Sequence, residues 1–181
     1  MKNENAENPI AEIIFEDGRT LRFVLRPDVA PLSVKNFVDL AESGFYDGLC
    51  MHRVIPDFMI QGGGMTCGKD GLKVRKAPRT VPGEFAANGR KNDLTHAPGV
   101  ISMARTPAPD SASSQFFVCV ADCSFLDGQY AAFGVAADEE SVLTAIEISK
   151  TPTRSVGYYD DVPVTPVIVK TVKIRRGGKD E

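Results

Sequence analysis

Between residues 49 and 135 every apolar run is short and is broken by Gly, Pro or a polar cluster. The runs are 51–55, 59–61, 100–104, 116–120 and 131–135. None is long enough for an ordinary helix, so the middle of the chain is read as strands. Many short strands with turn signals between them point to a sandwich or a barrel. The flanks agree. Residues 11–15 and 20–25 alternate in polarity on either side of Glu16-Asp17-Gly18, which reads as a β-hairpin closed by an Asp-Gly turn. A helix is expected from Pro31, since Pro is well tolerated at a first helical position. Val34, Phe37, Val38 and Ala41 give it one buried stripe, and Gly44 stands where a C-cap belongs. A second helix is expected over residues 139–148, capped by Asp138, with Val142, Leu143 and Ile146 as its apolar face. Residues 167–174 alternate and should form the last strand.

With 181 residues, 43% hydrophobic and 25% charged, the chain suits one globular domain with a core of useful size. That domain is placed at residues 9–176, between flexible ends at 1–8 and 177–181. A net charge of -3 gives no bulk attraction to nucleic acid or to an anionic membrane. The first residues are polar and no apolar run approaches a membrane span, so no signal peptide is read and a cytoplasmic location is expected. The four cysteines, Cys50, Cys67, Cys119 and Cys123, make no C-x-x-C pair, and His52 and His96 have no zinc spacing. Four reduced, partly buried thiols are the expectation, with no metal and no cofactor. Ser111, Ser113 and Ser114 have no identifiable histidine partner, which disfavours a hydrolase.

Two stretches are unusual for a plain β protein. In residues 51–64 an Arg interrupts an apolar run, Phe58 and Met59 sit together, and three glycines follow. The other stretch is residues 99–105 followed by Ser113-Ser114-Gln115-Phe116-Phe117-Val118. His52-Arg53-Val54-Ile55-Pro56 with Phe58-Met59-Ile60-Gln61-Gly62-Gly63 resembles the cyclophilin signature. Ser102-Met103-Ala104 and Ser114-Gln115-Phe116-Phe117 resemble its second block. Phe125-Leu126-Asp127-Gly128 and Phe133-Gly134-Val135 resemble its third. The resemblance runs from about Ala11 to Ile174, and Gly83-Glu84-Phe85 resembles the compact bacterial type.

The resemblance implies a mainly β fold, a closed eight-stranded antiparallel barrel capped by two helices. It also implies a peptidyl-prolyl cis-trans isomerase acting on proline-containing peptides and on unfolded or folding proteins, as a monomer. By resemblance Arg53 is the catalytic cation, supported by Gln61 and faced by Phe58. Phe58, Met59, Phe117 and Leu126 match the proline pocket, Phe125 keeps an aromatic wall, Tyr130 falls at a substrate-binding position, and Ala104, Arg105 and Gln115 match the groove for residues before the proline. A proline-peptide binding module with little turnover is the alternative. Phe125 stands where well-known members carry Trp, Tyr130 where many carry His, and Arg105 where Asn is frequent. The first change implies weakened cyclosporin binding. Lys69, Lys73, Arg75, Lys76 and Arg79 follow the glycines, and suggest either a solvated loop or a preference for acidic peptides.

Overall fold

The N-terminal hairpin forms where alternation places it, as β1 (Ile10–Phe15) and β2 (Thr20–Leu25). Ala11, Ile13, Phe15, Leu21, Phe23 and Leu25 are buried on one face, as period-two patterning requires. The computed structural model describes residues 7–177, so nearly all of the two expected flexible ends lies outside the described residues.

Helix α1 spans Pro31–Glu42, with Pro in its first turn and Val34, Phe37, Val38 and Ala41 buried. Its own N-cap, Ala30, offers no side chain. Instead buried Glu84 reaches across, accepting from the backbone N–H groups of Leu32 (3.2 Å) and Ser33 (2.6 Å). A carboxylate there satisfies otherwise orphaned donors at the positive end of the helix dipole. Gly44 follows the helix at φ 76°, a left-handed conformation that suits glycine.

The remaining strands are β3 (Arg53–Ile55), β4 (Met59–Gly62), β5 (Met65–Gly68), β6 (Gly71–Val74), β7 (Val100–Met103), β8 (Phe116–Cys119), β9 (Ala132–Ala136), β10 (Thr153–Val156), β11 (Tyr159–Pro163) and β12 (Val169–Arg175). Eight form one antiparallel, strongly curled sheet in the order β12-β1-β2-β9-β7-β8-β4-β3. The two ends of that order meet through a single bridge, Cys50 to Ile168, and three backbone hydrogen bonds, from Met51 N–H to Val167 O, from Gly48 N–H to Val169 O and from Val169 N–H to Leu49 O. The expected barrel is therefore joined at a seam of a few contacts rather than by a full ladder. Two small hairpins, β5–β6 and β10–β11, stand outside the large sheet.

Helix α2 spans Glu139–Ser149, and Asp138 caps it by accepting from Ser141 N–H at 2.7 Å. Its inward face differs from the expected one. Ser141, Ala145, Ile148 and Ser149 are buried, whereas Leu143 is 58% exposed and Val142 and Ile146 are half-buried. Small residues let the helix approach β2 closely, where Ser141 Oγ accepts from Arg22 N–H at 2.9 Å. That close contact rotates the apolar stripe outward.

The cysteine expectation also changes. Cys50 and Cys67 form a disulfide, with Cα atoms 6.0 Å apart, while Cys119 and Cys123 are free and buried. The pair lies 17 residues apart in sequence, but the return of β4 and the start of β5 bring them together. Cys50 N–H donates to Met65 O at 2.9 Å, two residues before Cys67. Motif spacing cannot register a contact of that kind.

Candidate active site

Backbone register sets the site. Arg53 of β3 lies opposite Gln61 of β4, Gln61 opposite Phe117 of β8, and Phe117 opposite Ser102 of β7. Directly paired residues share a face of the sheet, so these four form one row across it. Successive residues alternate faces. Ile60, between Met59 and Gln61, is wholly buried in the main core, while Met59 and Phe117 belong to a second, separate apolar cluster. That cluster contains Met59, Phe117, Cys119 and Cys123, with Ile55, Phe58, Ala104, Leu126 and Tyr130 packed against it. It sits on the outer face of the curled sheet.

Between β3 and β4 the chain turns at Pro56-Asp57. Pro presets one turn dihedral, and Asp57 takes φ 60°, a left-handed value that Asp tolerates better than bulkier residues. The turn closes with Phe58 N–H donating to Ile55 O at 3.2 Å. It delivers Phe58 beside Phe125, ring centroids 5.8 Å apart. Phe125 and Leu126 come from a short 3₁₀ turn, Ser124–Leu126, and Phe125 is 63% exposed.

A cavity of about 200 Å³ opens at the centre, lined by Arg53, Phe58, Met59, Gln61, Ala104, Arg105, Phe117, Leu126 and Tyr130. These are nine of the eleven residues that the sequence singles out. Of the other two, Phe125 stands at the rim against Phe58. Gln115 lines the adjoining hollow with Thr106, Ser111 and Ser113, and accepts at Oε1 from Gln61 Nε2 at 3.0 Å. Gln61 is thus hydrogen-bonded to Gln115, and it faces Arg53 across the strand pair. Arg53 itself is exposed, and among the described residues no ion pair includes it.

Arg105 is engaged on its own side of the groove. Its Nε and Nη2 donate to Gln129 O at 3.1 and 2.7 Å, and its guanidinium stacks on Tyr130 at 4.6 Å and on Phe85 at 4.9 Å. The side chain fixes the loop that carries Tyr130.

His96, whose sequence neighbours give no sign of a role in the site, is one of its supports. It is buried and stacked on Phe117, with centroids 5.9 Å apart and planes 14° from parallel. Its Nδ1 lies 2.8 Å from Asp127 Oδ1, and its Nε2 lies 2.9 Å from Ser102 Oγ. A carboxylate only accepts, so Nδ1 carries the proton and Nε2 accepts from the Ser102 hydroxyl. Burial pushes the His96 pKa down, and Asp127 partly restores it. Ser, His and Asp stand in series as in some hydrolases, which residue spacing had hidden. Ser102, however, is 0% exposed on an interior strand, and no substrate carbonyl can reach it. The series holds Phe117 in place instead. His52, beside Arg53, is buried too, and burial together with the Arg53 charge pushes its pKa down to about 4. Both thiols under the pocket are pushed up, mainly by burial, and stay protonated.

The basic loop is less free than its sequence suggests. Arg75 donates to Phe45 O and Asp47 O, both at 2.8 Å. Arg79 donates to Asn36 Oδ1 at 3.0 Å and to Asp39 Oδ2 at 2.7 Å. Those two cations pin the loop to α1 and the turn after it, leaving the lysines to solvent.

Residues 11–174 match the family model described as cyclophilin type peptidyl-prolyl cis-trans isomerase/CLD. Peptidyl-prolyl cis-trans isomerase A of Dickeya dadantii is 45% identical over 159 residues, covering 85% of this chain and 78% of the relative. Peptidyl-prolyl cis-trans isomerase B of Escherichia coli is 39% identical over 155 residues, covering 81% and 88%. A cyclophilin type peptidyl-prolyl cis-trans isomerase of Cryptosporidium parvum, solved in the presence of the dipeptide ala-pro, superposes with a TM-score of 0.71. It is 27% identical, and the match covers 92% of this chain and 98% of that one.

Proposed function

This chain belongs to the cyclophilin-type peptidyl-prolyl cis-trans isomerase family and has that family's activity, and on that premise we propose that Arg53 drives the rotation while the Phe58–Phe117–Leu126 pocket holds the proline ring. Resonance across the C–N bond sets a barrier of about 18–20 kcal/mol, so uncatalysed X-Pro exchange takes tens to hundreds of seconds. As the bond twists, the lone pair localises on the prolyl nitrogen, which becomes a better acceptor. A donor aimed at that nitrogen binds the twisted state more tightly than either planar one, and this difference lowers the barrier. The guanidinium remains charged and has no competing ion pair among the described residues. No bond is broken and no proton changes owner.

The observation that carries this reading is the row Arg53–Gln61–Phe117. It sets the Arg53 guanidinium beside a cavity of about 200 Å³ walled by Phe58, Met59, Phe117 and Leu126 on the outer face of the sheet. Gln61, held by Gln115, offers its amide to the substrate backbone, and Ala104 and Arg105 border the path of residues before the proline. There a peptide adds to the site in the manner of an extra strand. The test is exchange NMR on a short X-Pro peptide with wild type and Arg53→Ala. Fast exchange with wild type and slow exchange with the variant supports the reading. Unchanged exchange in the presence of bound wild type would make the chain a binder.

Proline-containing peptides are its ligands. We further propose unfolded and folding proteins as clients, a monomeric working state, and weakened cyclosporin binding because Phe125 lacks an indole N–H. Tight cyclosporin binding by calorimetry would overturn the last point. The cytoplasmic placement meets an opposing observation in the Cys50–Cys67 disulfide, because cytosolic thiols are kept reduced. We therefore favour an oxidising compartment for this form. Trapping free Cys50 and Cys67 thiols in intact cells would restore the cytoplasmic reading.

A further inference from the structure

The strand that carries Arg53 is the edge of the groove. β3 is three residues long, stands at the end of the strand order, and ladders only with β4. Arg53 has no ion pair to set its direction among the described residues. Its position is set by the ladder to β4, by β11 packed beside β3 and by the backbone just before it. There Cys50 N–H donates to Met65 O, Cys50 bridges to Ile168, and Met51 N–H donates to Val167 O. The disulfide ties Cys50 to Cys67 on β5, the same strand that holds Met65, so it reinforces covalently a contact otherwise made by one hydrogen bond.

The segment the bond closes holds the reacting face. Residues 50–67 contain Arg53, Phe58, Met59 and Gln61, with the three glycines at its far end. The packing there leaves no slack. A Cβ on Gly62 would lie 2.5 Å from Met51 Sδ and 3.0 Å from Cys50 O. The end of β4 therefore rests directly on Cys50 and Met51, and a shift of Cys50 moves both Arg53 and its neighbour Gln61. The ring pocket is anchored differently, since Phe117 sits on an interior strand stacked against His96.

We propose that the Cys50–Cys67 disulfide is a positioning element for Arg53, and that it makes the isomerase rate depend on thiol redox state. The inference rests on the isomerase reading. Cys67 is half-buried and Cys50 wholly buried, so a dithiol reductant attacks at Cys67 Sγ. Its thiolate bonds to Cys67 Sγ while Cys50 leaves and takes up a proton. The second thiol of the reagent then displaces Cys67, which is also protonated, and the reagent departs as a cyclic disulfide. Two electrons and two protons pass to the protein, and an oxidised dithiol reverses the step.

The test compares kcat and KM for X-Pro isomerisation in the oxidised protein, in the same protein reduced with dithiothreitol, and in Cys67→Ser. It is run at a temperature where circular dichroism of the three superposes. Expected is a fall in kcat of about tenfold on reduction, from misplacement of the donor. KM should change less than kcat, because Phe117 and Leu126 lie outside the closed segment and keep their anchors, and reoxidation should restore the rate. Cys67→Ser should match the reduced rate and ignore dithiothreitol. Should that variant fail to fold, the oxidised and reduced wild-type forms decide alone. Equal kcat in both redox states overturns the proposal, as does a loss confined to KM or to the melting temperature. Oxidised protein with no isomerase activity overturns the functional reading and this proposal together.

Discussion

The two halves of the groove are built to different standards. On the ring side, Met59 and Phe117 sit on β4 and β8, strands flanked by neighbours within the large sheet, and His96, Asp127 and Ser102 lock Phe117 from beneath. On the Arg53 side, a three-residue edge strand carries an exposed cation whose place depends on a turn, a few backbone hydrogen bonds and one disulfide. The apolar pocket is a product of the fold itself. The cation proposed to accelerate rotation stands on a local feature beside it, so binding and turnover should be separable.

Mutations should expose that division. Phe117→Ala removes a nearly buried ring from under the pocket, and should cost about 3–5 kcal/mol of stability as well as peptide affinity. Denaturant unfolding and peptide titration measure the two losses, and a stable variant with full affinity would break the contrast. Arg53→Ala should leave the melting temperature alone. Its cost is a charge-assisted hydrogen bond made in the transition state, about 2–3 kcal/mol, or about 30- to 150-fold in kcat/KM. Stability loss comparable to that of Phe117→Ala would show that β3 is not a separable edge.

Acid should act on both sides through the histidines. Each is held neutral when folded, His52 with its pKa near 4 and His96 below the ordinary value, while an unfolded histidine titrates near pH 6.5. Between those values the unfolded chain binds more protons. Their contribution is therefore complete above about pH 6.5 and is lost as pH falls below it, for His52 down to about 4, by at most about 1.4 kcal/mol per pH unit for each histidine. Thermal melts from pH 7 to 4.5 should show the decline, and His52→Gln should flatten part of it. A melting temperature constant over that range would sink the assignment. The smallest effect belongs to the basic loop. Arg79→Ala loses an exposed ion pair to Asp39 and should lower the melting temperature only slightly. Acidic and neutral X-Pro peptides should be turned over in unchanged proportion, and a selective loss on acidic ones would give the loop a role in the groove.

Much of this was legible in the residues. Alternation placed the first hairpin and the last strand, and Pro31 with its stripe placed α1. Fold type and activity came from motif order, because short apolar runs alone do not distinguish a barrel from a sandwich. The groove residues were legible for the same reason. What stayed hidden has a common cause, namely contacts set by register between distant segments. His96, Asp127 and Ser102 meet only once β7, β8 and the 3₁₀ turn are stacked. Cys50 and Cys67 meet only once β4 returns, and so they read as free thiols. Hydrophobicity alone points to a different face of α2 from the one observed, because the small residues Ser141 and Ala145 allow the closer approach to β2.

Arg105 and Tyr130 looked in the sequence like two unrelated departures from the common pattern. The guanidinium stacked on the phenol ring and hydrogen-bonded to Gln129 O makes them one unit. Such a unit couples the two positions. A drift from Arg105 toward Asn would strand Tyr130, and a drift from Tyr130 toward His would strip Arg105 of one of its two aromatic faces. Across bacterial relatives the two positions should therefore change in step, with pairs of one Arg and one His rarer than independent drift would produce.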